Sequence, residues 1–144
     1  MQQSSEVRGA VERFYECISK GDVEGTSATI ADDPEAFVIG TQRIGSGREA
    51  WMSSVRENAE MGVGFTAGKI RAWAEGDTGW AVDETTIELP NGVGFTMRTT
   101  FVARRDSDGV FRLLHMHASW AVPDEVALEH AQAWRGQLGL ESAS

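Results

Sequence analysis

The chain has 144 residues, of which 41% are hydrophobic, enough for one compact domain with a core. With 22 acidic against 13 basic side chains, the formal charge is −9, which excludes the dense basic surface that nucleic acid or an anionic membrane would need. Cys17 is the one cysteine, so no intrachain disulfide or cysteine-based metal cluster can hold the fold, and its place in a helical pattern predicts a buried structural thiol.

Met1 to Gly9 is polar and lacks the apolar run of a signal peptide, and no stretch approaches the ~20 apolar residues of a membrane span, so a soluble, cytoplasmic protein is expected. Val7, Ala10, Val11, Phe14 and Ile18 recur at helical spacing and predict an amphipathic helix from about Ser4 to Ser19, stopped at Lys20-Gly21. Asp22 can cap a shorter helix reaching about Ile30, which Asp32-Asp33-Pro34 ends. A short strand from Ala36 to Thr41 and a loop from Arg43 to Gly47 follow, then a third helix from Arg48 to Glu60 with Trp51, Val55 and Ala59 on one face.

From Gly62 the pattern alternates, with turn signals at Glu75-Gly76-Asp77, Pro90-Asn91-Gly92 and Asp106-Ser107-Asp108-Gly109, predicting four strands joined as three hairpins. Pro123-Asp124 opens a last helix with Ala127, Ala131, Trp134 and Leu138 in a stripe, and Glu141 to Ser144 should fray. The class is α+β, with one face of an antiparallel sheet buried under helices.

Centring the middle hairpin on Asn91-Gly92 pairs Glu84 with Thr99, and centring the last on Ser107-Asp108 pairs Thr100 with His115. One face then carries Trp80, Val82, Glu84, Thr86, Phe95, Met97, Thr99, Phe101, Leu114, Met116, Ala118 and Trp120, and should meet the helices. The other carries Asp83, Thr85, Thr96, Arg98, Thr100, His115, His117 and Ser119, and should meet solvent or a partner subunit.

The segments VERFYECISKGD (11–22), VIGTQRIGSGREAW (38–51) and LLHMHASWAVPDE (113–125), in this order of elements, resemble the SnoaL-like branch of the nuclear transport factor 2 superfamily. The resemblance implies a cone: a curved antiparallel sheet wrapped around N-terminal helices, here with an extra C-terminal helix, often as a homodimer with a cavity inside. The superfamily holds isomerases, dehydratases, epoxide hydrolases and polyketide cyclases beside non-catalytic modules, so the fold does not choose the function. The tyrosine of ketosteroid isomerase falls on Phe14, with Tyr15 one place on, and the strand from Val38 to Gly40 offers no carboxylate for that enzyme's base. Met116, Ala118 and Trp120 resemble its apolar pocket lining.

Glu84, a carboxylate among apolar neighbours, is the expected proton shuttle, because burial would raise its pKa toward neutrality. Its rival reading is a strand-edge residue at the cavity mouth, paired with Lys69 or simply wet. His115 and His117 point the same way and could transfer protons beside Arg98, Thr100 and Ser119, or belong to a polar subunit face or a hydrogen-bonded structural strand. Asp83 is expected to pair with Arg71 across a hairpin rather than complete a metal site. Tyr15, Trp51, Trp80, Met97, Thr99, Phe101, Met116 and Trp120 are expected to bind the substrate, a small apolar molecule.

The reading is a homodimeric, small-molecule-binding protein that catalyses cyclisation, isomerisation or dehydration by acid-base chemistry, with no cofactor and no metal. The alternative is a non-catalytic ligand-binding or dimerisation module.

Overall fold

The computed structural model describes residues 1–40 and 44–135. In chain order the elements are β1 (Gln2–Gln3), α1 (Ser5–Ser19), α2 (Val23–Thr29), β2 (Phe37–Ile39), β3 (Ile44–Ser46), α3 (Arg48–Met61), β4 (Gly64–Thr66), β5 (Arg71–Glu75), β6 (Thr78–Glu88), β7 (Gly94–Arg105), β8 (Phe111–Trp120) and α4 (Asp124–Trp134). The predicted helices stand. Ser4 caps α1 by accepting from Val7 N at 3.2 Å, and Asp22 caps α2 by accepting from Gly25 N at 2.8 Å. Gly62, in the left-handed region at φ 67°, ends α3.

The strands form one sheet in the order β1-β5-β6-β7-β8-β2-β3, with β4 sharing the β6 edge with β5. It is antiparallel except where β2 runs parallel to β8. Residues 44–46, expected as loop, form β3 against β2. Thr41 and Arg43, Leu138 of the expected last-helix stripe, and the frayed end expected from Glu141 lie outside the described residues. The last helix, α4, buries none of its residues.

The register differs from the expected one at two loops. Leu89 N donates to Val93 O, leaving a three-residue loop, Pro90 to Gly92, with Gly92 left-handed at φ 81°. A type I turn closed by a left-handed glycine has an odd length, so β6 slips by one residue against β7 and Glu84 pairs with Arg98. Every β6 side chain therefore changes face. Ala81, Asp83, Thr85 and Ile87 turn to the helices, while Trp80, Val82, Glu84 and Thr86 turn outward.

The last hairpin also has a three-residue loop, Ser107 to Gly109, but a bulge between Val102/Ala103 and Leu113/His115 makes a second one-residue change. The two changes cancel toward the end of β8. Met116 and Ala118 face inward as expected, whereas Leu114 sits at the bulge on the outer side and Leu113 and Phe111 take the core places.

The core lies between this concave face and α1 and α3. Phe14 packs edge-on against Trp51 and Phe101, and Tyr15 meets Phe101 with ring centroids 5.8 Å apart at 83°. Cys17 is partly buried against α2, and burial raises its thiol pKa.

Candidate active site

A pocket of about 230 Å³ opens between the helices and the end of the sheet nearest the β6–β7 loop. Helix α1 contributes Phe14, Tyr15 and Ile18, and α3 contributes Trp51, Ser54, Val55 and Asn58 from one face at helical spacing. The sheet contributes Thr85 and Ile87 from β6, Phe95, Met97 and Thr99 from β7, and Met116 and Ala118 from β8. Alternation along the strands puts these residues on the concave side, so the lining is largely apolar.

Besides Ser54 and Asn58 on α3, its polar part is a cluster of hydroxyls joining α1 to the sheet. The Tyr15 hydroxyl lies 2.5 Å from Thr85 Oγ1 and 2.8 Å from Thr99 Oγ1. Thr85 Oγ1 donates to Asp83 Oδ2 at 3.0 Å, and Gly68 N donates to the same oxygen at 3.1 Å. Asp83 Oδ1 is buried with no hydrogen-bond partner among the described residues. Burial, the largest cause, pushes the Tyr15 pKa up to about 12, with the nearby Asp83 charge adding to it and the two threonine bonds opposing it. The phenol is therefore a neutral donor at physiological pH.

Asp83 occupies a gap in the β6 edge. β5 pairs as far as Arg71 with Val82, and β4 begins at Thr66 with Thr86, so the chain between them leaves the ladder. Gly68 crosses over the Asp83 carboxylate there. A Cβ at 68 would lie 2.3 Å from Glu84 O and 3.1 Å from Asp83 Oδ1, so only glycine fits without displacement.

Of the expected site residues, Tyr15, Trp51, Met97, Thr99 and Met116 line the pocket. Phe101 stands behind it, buried against Phe14 and Tyr15. Trp80 is outside, stacked on Trp73, because of the β6 slip. Trp120 lies toward the sheet end, 56% exposed, with its ring 5.6 Å from Phe95.

Glu84 is corrected outright. Its side chain is 70% exposed on the outer face, 3.7 Å from Arg98, so it is neither desolvated nor in reach of the pocket. His115 and His117 also lie outside. His115 Nδ1 donates to Phe37 O at 3.3 Å and its ring packs on Phe37, while His117 is exposed. Burial, chiefly, lowers the His115 pKa. Asp83 faces inward and does not bond Arg71, contrary to expectation.

Asp83 and Thr85 were missed as members of the inner cluster. The available signal was chemical: moving Thr85 to the inner face would have set it beside Tyr15 and Thr99, three hydroxyls in one apolar wall.

No curated protein sequence matches this chain. Among solved structures it is similar to an NTF2-like protein of unknown function from Pseudomonas putida, at 20% identity and TM-score 0.74 over 87% of this chain and 94% of that one. It is similar also to a provisionally assigned dehydratase of the NTF2-like family from Streptomyces avermitilis, at 25% identity and TM-score 0.73 over 82% and 95%. A ketosteroid isomerase-like protein from Erwinia carotovora atroseptica aligns at 16% identity and TM-score 0.67 over 83% and 96%. The SnoaL-like domain model matches residues 7–124, and the chain, with its α+β architecture and curved sheet, belongs to that family within the NTF2-like superfamily.

Proposed function

We propose that this protein binds a small, largely apolar molecule in the pocket and acts on it by cofactor-free acid-base chemistry, in a cyclisation, isomerisation or dehydration. The observation that carries this reading is the relay from the pocket wall through Tyr15 and Thr85 to the buried Asp83 carboxylate. A proton leaving a bound molecule can pass along these hydroxyls to Asp83, which stands clear of bulk water. The apolar walls position the molecule, and the hydroxyls take its polar group.

A non-catalytic binder is the second reading. It is favoured by one observation: among the described lining residues there is no Asp, Glu or His, and Tyr15 is the one titratable group.

Indane, 2-indanol and 2-indanone are suitable probes, being compact, achiral and nearly isosteric. A ligand of the native state raises the melting temperature with concentration, so a concentration-dependent rise with this series supports the pocket, and no rise with any of them contradicts it. Exchange of the α-protons of 2-indanone into heavy water separates the two readings. Acceleration by the wild type that is lost in Asp83→Asn supports catalysis, and no acceleration favours the binder.

We also propose that two copies pair through the outer sheet face, where Phe37, Ile39, Ile44, Val102 and Leu114 line a shallow groove beside His115. Sedimentation velocity tests this: a single monomer boundary at micromolar concentration contradicts it.

A further inference from the structure

The hydroxyl cluster has a direction, and the direction specifies what the pocket can recognise. Thr85 Oγ1 donates to Asp83 Oδ2 at 3.0 Å, and a hydroxyl has one proton to give. With that proton committed, Thr85 Oγ1 can only accept from Tyr15, and the 2.5 Å contact is filled by the phenolic proton. The remaining proton is that of Thr99. Its acceptors within reach are the Tyr15 oxygen at 2.8 Å, Thr85 Oγ1 at 3.3 Å and the Asp83 carbonyl at 3.3 Å, all inside the cluster. Each of the three hydroxyls thus spends its proton on a neighbour, and the chain of donors runs from Thr99 through Tyr15 and Thr85 to Asp83. What this cluster leaves over for the pocket is lone pairs, on Thr99 Oγ1 and on the Tyr15 oxygen; the other polar side chains of the lining, Ser54 and Asn58, belong to α3.

Resting on the reading of this pocket as the binding site, we propose that its polar patch is acceptor-only and that the molecule it takes is a small apolar alcohol or phenol, whose O–H donates to Thr99 or Tyr15, in preference to the corresponding ketone. A carbonyl placed there would lose its water and meet lone pairs instead of a donor, the costly case for a buried polar group. The same polarity suits proton removal, because a donor presented to this patch stands at the head of a path that leads toward Asp83. Asp83 acts through Thr85 and Tyr15, so it is a positioning residue for the acceptor patch.

Isothermal titration with 2-indanol, 2-indanone and indane tests this directly. The wild type binds 2-indanol about tenfold more tightly than 2-indanone, the ratio set by one carbonyl acceptor left without a donor. Thr85→Val keeps the shape and removes the acceptor for the phenolic proton, which frees Tyr15 to donate into the pocket. In that variant the preference for the alcohol shrinks to about threefold or less, chiefly through tighter binding of 2-indanone. Equal or tighter binding of 2-indanone by the wild type overturns the proposal, as does an unchanged alcohol preference in a folded Thr85→Val protein. The wild-type comparison stands alone if the variant does not fold. Failure of all three compounds to bind the wild type refutes the pocket reading beneath it, a different outcome from binding without discrimination.

Discussion

Tyr15 and Thr85 are 70 residues apart in sequence, and their side-chain oxygens lie 2.5 Å apart beneath the pocket. Tyr15 is the one tyrosine of the chain, so its ionisation can be followed by ultraviolet absorbance as a single site. Tyrosinate should appear with a midpoint near 12, against about 10 once the protein is unfolded. The folded phenol holds its proton more tightly than the unfolded one. Its contribution to stability is therefore full below pH 10 and is lost as pH rises from 10 to 12, at about 1.4 kcal/mol per pH unit. Tyr15→Phe should abolish that slope and, by removing a hydrogen bond from each of two buried threonines, cost about 1–3 kcal/mol at neutral pH. A normal tyrosine titration in the folded protein would contradict the buried cluster.

The last hairpin should dominate part of the acid response. Arg112 grips Asp108 through two bonds, of 2.7 and 2.9 Å, and this ion pair is the chief reason that the Asp108 pKa is lowered to about 2. A depressed carboxyl pKa contributes stability above the unfolded value near 3.8 and loses it as pH falls toward 2. Asp108→Asn should thus be the less stable protein at pH 6 and should converge on the wild type by pH 2. Denaturant midpoints across that range check this, and a constant gap between the two would refute it.

Gly68 is required by a close approach. With a Cβ placed 2.3 Å from the Glu84 carbonyl, Gly68→Ala must push the crossing segment off β6 and loosen the cover over Asp83. A loss of about 1–3 kcal/mol in urea unfolding is expected. Stability equal to the wild type would show that this segment does not press on the sheet as described.

Glu84, by contrast, should be nearly silent. An exposed ion pair with Arg98 at 3.7 Å contributes little, so Glu84→Gln should change stability by no more than about 0.5 kcal/mol and leave probe binding in the pocket unaltered. Loss of binding in this variant would return the site to the outer face.

Most of the fold was readable because its signals are local. Apolar spacing in α1 and α3, the caps at Ser4 and Asp22 and the glycine-bearing turns all act within a few residues. The lining of β7 and the end of β8 was readable too, through Met97, Thr99 and Met116. What failed was parity. Whether a hairpin loop holds two or three residues depends on the backbone of one glycine, Gly92, and a single step exchanges Glu84 for Asp83 and Thr85 on the inner face. The bulge at Leu114 left no composition signal, and it restored the β8 faces only by cancelling a second odd loop. The hydroxyl cluster joins α1, β6 and β7, so it becomes visible only once the register is known.

Filling the pocket shows whether it is the binding site. Ala118 lines the pocket from β8, and Ala118→Phe would place a ring in its space. Titrating 2-indanol into wild type and variant, with circular dichroism to confirm that both are folded, should give saturable binding in the wild type and its loss in Ala118→Phe. Equal binding by the two folded proteins would place the binding site outside this pocket.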